Sequence, residues 1–162
     1  MLEIVTFGSE ILTKKALPVP EIGADIKALA EGMFEAMERG RGVGLAGPQI
    51  GAPLRIFVTN IEGDKKRVFI NPEIVLTSQE QVDFEEGCLS LPRLYLDVTR
   101  PESVRIQAWN ERGRPFTIES DGFLARVMLH EYDHLEGVLF IDRLPAVKRD
   151  KAIAQYRKLS KA

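Results

Sequence analysis

The chain has 162 residues, 44% hydrophobic and 28% charged, with a net charge of −2 and a pI near 5.8, an ordinary balance for a globular protein. That length suits one domain, residues 1–162, with a sizeable core, and the weak acidity excludes a strong general attraction to DNA or to an anionic membrane. No apolar run approaches the ~20 residues of a membrane span, the N-terminus lacks a basic flank followed by an apolar segment, and the single cysteine, Cys88, precludes an internal disulfide, so a reducing, cytoplasmic setting is the expectation.

Read in chain order, a Pro-rich connector over 17–23 leads into a first helix, with Asp25 as its N-cap. Ile26, Leu29, Ala30, Met33, Phe34 and Met37 recur at helical spacing and define its core face. Gly40 and Gly42 end the helix. The glycine-rich segment 41–53 reads as an irregular loop. Strand patterns follow at 54–60, 66–72 and 73–78, then at 94–98, 103–109 and 115–120, with a turn at 110–113. Ser120 or Asp121 caps a second helix to about Leu135, with Gly137 just past its end. A third helix runs from about Val147 to Lys161. One helix, many strands and then helices predict an α+β fold.

The chain's only two histidines, His130 and His134, lie in "MLHEYDHLEG" (128–137). Residues four apart share one helix face, so both imidazoles can reach one metal ion. Phe123 and Val127 extend that face and are expected to be buried with it. Glu131, displaced ~100° around the helix, can reach a metal-bound water without ligating. Two His ligands and a proton-accepting Glu are the parts of a metal-dependent hydrolase. An inert, half-buried histidine pair is the plainer alternative.

The third ligand separates the possibilities. A zinc protease of one HExxH type needs a histidine where this chain has Phe140, which cannot ligate. Another type takes a downstream Glu; Asp150 is the available acid, in a basic segment without supporting context. Cys88, in "EEGCLSLP", offers a thiolate suited to zinc or iron(II). On its own it reads equally as a buried structural cysteine.

"GVGLAGPQIG" (42–51), "EEGCLSLP" (85–92) and "HEYDHLEGVLF" (130–140) together resemble the three signature motifs of the peptide deformylases, in order and spacing, and the similarity covers nearly the whole chain. The resemblance implies antiparallel sheets around a central helix that carries the two His, with N-terminal and C-terminal helices. It implies removal of the formyl group from the N-terminal formyl-methionine of newly made polypeptides. It makes Cys88, His130 and His134 the ligands of one divalent ion, generally iron(II), with zinc, nickel or cobalt able to take the same site. Glu131 becomes the general base and acid. Gln49 and the backbone N–H of Leu89 become the oxyanion donors, and Val43, Gly44 and Gly87 the main-chain edges that pair with substrate.

Two positions depart from the family pattern: Gly47 stands in place of an alanine, which would loosen the loop holding Gln49, and Leu129 in place of a glutamine. Arg126, one turn before His130, reads either as a border of the methionine pocket or as a surface arginine. Asp133 and Glu86 are acids near the site, and Arg100 can pair with one of them. In the last helix, Ala152, Ile153, Tyr156 and Leu159 form an apolar stripe among Lys148, Arg149, Lys151, Arg157, Lys158 and Lys161. Pairing of cations with the helix C-terminus explains only the last few. The resemblance suggests weak, salt-sensitive docking of this helix on the ribosome.

Overall fold

In the computed structural model, which describes residues 2–161, the first helix α1 (Ala24–Arg39) begins one residue before its expected cap. Gly23 takes the N-cap position, and Asp25 lies in the first turn, where its carboxylate meets the positive end of the helix dipole. Ile26, Ala30, Met33 and Met37 are buried, joined by Ala36, while Leu29 and Phe34 flank them half-buried. The left-handed residue past the helix is Arg41, at φ 58°, and neither flanking glycine. Gly40 and Gly42 are demanded by space instead: a Cβ on either would come within 2.9 or 2.7 Å of the Leu89 side chain.

The glycine-rich segment is ordered rather than irregular. It holds strand β1 (Gly44–Ala46) and a buried 3-10 turn, Gly47–Ile50. A Cβ at Gly47 would sit 2.8 Å from the carbonyl oxygen of Leu54 and 2.9 Å from that of Ala52. The backbone therefore closes tightly on this glycine, the opposite of a loosened loop.

The remaining strands are β2 (Ile56–Thr59), β3 (Arg67–Thr77), β4 (Gln81–Cys88), β5 (Leu91–Pro101), β6 (Val104–Trp109) and β7 (Pro115–Ser120). An antiparallel sheet has the order β1-β2-β3-β6-β7, and β4 pairs with β5 as a separate ribbon. The two strands expected at 66–72 and 73–78 are one strand with a register break between Ile70 and Glu73. Asn71 makes the break possible by taking φ 49°, and its amide exchanges hydrogen bonds of 2.8 and 3.0 Å with the backbone of Val19. Pro72, with no N–H to donate, falls where the ladder is already interrupted.

Helix α2 (Phe123–Leu135) is enclosed by these layers, with 11 of its residues buried. Its N-cap is Gly122, two residues past the earliest expected start. Leu124, Ala125, Met128, Leu129 and Leu135 pack on Phe57, Phe69, Val104, Ile106 and Ala108 of the sheet. Full burial contributes about 1.5–3 kcal/mol for each large apolar side chain, enough to hold a polar face in the interior. Phe123 departs from expectation: it is 45% exposed and meets Phe84 at 5.9 Å between ring centres. Helix α3 (Ala146–Lys161) lays Ala152 and Tyr156 against a cluster with Leu91, Leu94 and Val98 of β5. The class is α+β, with antiparallel sheets around a central helix.

Candidate active site

Three turns of α2 carry Arg126, His130 and His134 on one buried line. Cys88, the last residue of β4, meets that line from the side, with its Sγ 3.4 Å from His134 Nε2. One donor atom each from Cys88, His130 and His134 lies within 4.8 Å of the others, a group that can hold a metal ion. Thiolate and imidazole donors suit a borderline divalent ion such as zinc or iron(II). The surroundings fit such an ion: Glu131 Oε1, beside the cluster, is buried with no hydrogen-bond partner among the described residues. Asp150 is exposed on α3, outside the cluster, and Phe140 packs its ring 5.9 Å from that of His130.

Gln49 is almost completely buried beside the cluster. Its Oε1 accepts from the Ala46 N–H at 2.9 Å, which turns its amide nitrogen inward. That nitrogen lies 3.4 Å from Cys88 Sγ and 3.1 Å from Ser90 Oγ. Ser90 was not among the residues singled out in the sequence, although it sits two places past Cys88. Glu131 faces the backbone of β1 so closely that a Cβ on Gly44 would fall 2.6 Å from its Oε2. Burial raises the Glu131 carboxyl to about 7. A group there can both take and return a proton near neutral pH.

Behind the cluster is a buried ionic network. Glu86 Oε1 lies 2.8 Å from His130 Nδ1, so Nε2 is the ring atom left for the cluster. Arg100 forks onto Glu86 at 2.6 and 3.0 Å and reaches Asp133 at 2.7 Å, pairing with both expected acids rather than one. Arg143 grips the other side of Asp133 at 2.9 and 2.7 Å. Burial alone would push Glu86 up, but hydrogen bonds from His130 and Arg100 outweigh it and hold the carboxyl at about 2. Burial lowers His134 well below an ordinary histidine, aided by His130 and Arg100 nearby. His134 is therefore neutral, as a ligand must be. Arg126 is buried, so the surface reading of this residue is overturned.

The cluster opens into a cleft of about 420 Å³ lined by Val43, Gly44, Gly87, Leu89, Phe123 and Arg126, among others. Among the described residues β1 pairs only with β2 and β4 only with β5, so each contributes a free strand edge. Gly87 has no room for a side chain because Tyr95 lies over it, 2.5 Å from a would-be Cβ.

An α+β scaffold that buries a glutamate beside a Cys/His/His cluster at the end of a cleft defines a hydrolytic enzyme. The model of the polypeptide deformylase family matches residues 1–150. A peptide deformylase of Treponema pallidum (strain Nichols) is 44% identical over 98% of this chain and 97% of its own length. Peptide deformylase 1 of Clostridium perfringens is 53% identical over 82% of this chain and 90% of its own. The crystal structure of a peptide deformylase from Legionella pneumophila superposes with a TM-score of 0.93 at 40% identity, over 99% of this chain and 96% of that one. The chain belongs to the polypeptide deformylase family, enzymes that remove the formyl group from newly made peptides.

Proposed function

We propose that residues 1–162 act as one catalytic domain in which Cys88, His130 and His134 hold a divalent ion, iron(II) in the native enzyme. The substrate is the formyl-methionyl end of a nascent polypeptide. The observation that carries this reading is the convergence of the three donor atoms within 4.8 Å, beside a buried carboxylate whose value is near 7. When bound, the ion supplies Lewis acidity, which brings water toward a pKa of ~7 and stabilises negative charge on oxygen.

Glu131 takes the proton from the attacking water and later hands it to the departing amine nitrogen, so one group serves as base and then as acid. The C–N bond of the formamide breaks, and formate and a free N-terminus leave. The Gln49 amide, fixed by Ala46, and the Leu89 backbone N–H donate to the oxygen that gains charge. Losing one such donor typically costs ~10²–10³ in rate. The free edges at Val43–Gly44 and Gly87 pair with the extended peptide as an added strand.

Purified anaerobically, the protein should carry one ion per chain and cleave formyl-methionyl peptides but not internal peptide bonds. Glu131→Ala with undiminished turnover would overturn the assignment. We further propose weak ribosome docking through the exposed cations of α3, in the bacterial-type cytoplasm where formylated chains emerge. No helix among the described residues is long and apolar enough to cross a membrane.

A further inference from the structure

Arg126 and His130 are one turn apart on α2, and both reach the same carboxylate on β4. Glu86 Oε1 faces His130 Nδ1 at 2.8 Å, while Glu86 Oε2 accepts from Arg126 Nη1 at 2.7 Å. Arg126 does more than pair a charge. The same Nη1 donates to the Val98 carbonyl on β5, and Nη2 donates to the Val82 carbonyl on β4, both at 2.8 Å. One guanidinium therefore ties α2 to both strands of the ribbon that delivers Cys88. It also lies 5.7 Å from the centre of the Phe84 ring and lines the substrate cleft.

Arg100 supplies the opposite side of Glu86, but it makes no bond to the carbonyls of the ribbon among the described residues. The two arginines bridge the same pair of elements from opposite sides. Arg100, itself on β5, reaches Asp133 of α2 and Glu86 through side chains alone. Arg126, on α2, binds Glu86 and also the backbone of both strands of the ribbon that carries the cysteine.

We propose that Arg126 is a positioning residue of the metal centre: it locks Glu86 against His130 and clamps the β4–β5 ribbon to α2, so that the thiolate and the two imidazoles stay in register. The proposal rests on Cys88, His130 and His134 being the ligands. Removing the partner one step behind a metal ligand, here Glu86, typically weakens retention ~10–100-fold, and Arg126, which acts through Glu86, takes the low end of that range. A lysine keeps the charge on Glu86 but cannot fork onto two carbonyls.

The test uses the full chain loaded with nickel(II) and follows transfer of the ion to excess chromogenic chelator. Arg126→Met should release nickel on the order of tenfold faster than the wild type. Arg126→Lys should fall between them and stands in if the methionine variant does not fold. Met33→Ala, in a fully buried site of a different cluster, controls for general loosening and should release at the wild-type rate. Wild-type release from both Arg126 variants overturns the proposal, as does release from Met33→Ala as fast as from Arg126→Met. If the wild type fails to take up one nickel per chain, or His130→Ala holds it as tightly, the ligand assignment itself fails and the proposal falls with it. A sound ligand set with unchanged release from the Arg126 variants removes the proposal alone.

Discussion

Replacing Arg100 with methionine should cost about 3 kcal/mol of folding stability, at the lower end of the ~3–5 expected for breaking a buried ion pair. The reason for the lower end is in the partners. Arg100 is 3% exposed and makes three short bonds, two to Glu86 and one to Asp133. Without it, neither carboxylate is left alone: Glu86 keeps Arg126 and His130, and Asp133 keeps both bonds from Arg143. Asp133→Asn should destabilise less, because one amide oxygen in the place of Oδ2 still accepts from Arg100 Nη1 and Arg143 Nε, and only the bond from Arg143 Nη2 is lost. In the double variant the two losses overlap, and the measured cost should fall short of the sum by about 1–3 kcal/mol. Urea unfolding of the metal-free chain, followed by the fluorescence of its single tryptophan, Trp109, gives each corner of the cycle. A double variant additive to within about 0.5 kcal/mol would refute a direct Arg100–Asp133 pair. The acid limb offers a second check. The folded value of Glu86, about 2, lies below its ordinary 4.5, so its stabilisation is complete above pH 4.5 and fades as pH falls toward 2. Arg100→Met should move that loss to higher pH.

Glu131 has the opposite sign: its folded value is raised to about 7, so the metal-free wild type should lose about 3 kcal/mol relative to Glu131→Gln as pH rises from 4.5 to 7, while the variant loses turnover by ~10²–10⁴. Parallel stability curves for the two proteins would refute that burial cost. Cys88→Ser should lose the ion and the activity together, because serine is a poor ligand for a borderline metal; one ion per chain at full rate would exclude Cys88 as a ligand. Gly44→Ala should lower kcat by displacing the Glu131 carboxylate, which its Cβ would meet at 2.6 Å, and a wild-type kcat would show that the contact is slack. Reversing the charge of exposed Lys148, Lys151, Lys158 and Lys161 should weaken low-salt ribosome binding while leaving turnover of a short formyl peptide intact. Substitution is cleaner than deleting 148–162, because deletion would uncover the cluster that holds Ala152 and Tyr156. Equal affinity before and after reversal would end the docking idea.

The pairing of His130 with His134 was legible in the chain because it is local: four residues along a helix fix a shared face whatever the rest of the fold does. The α+β class and the strands at 103–109 and 115–120 were legible for the same reason, through a regular period and plain turn signals. Local pattern fails where an element has no uniform environment. β4 went unread because, in a two-stranded ribbon, most of its residues on both faces are exposed, so no alternation marks it. Phe123 lies on the predicted buried face, but a period reports only which residues share a face, not how far the neighbouring layer extends over it.

Tertiary structure alone decided the network behind the histidines. Glu86 meets residues 14, 40 and 44 positions away, and those meetings turn Arg126 from a surface candidate into a buried clamp. At separations this long, position along the chain does not determine distance in space. Which of several acids and arginines share a low-dielectric interior is set by the packing of α2 between the sheet and the ribbon, where an unpaired charge would be too costly to keep.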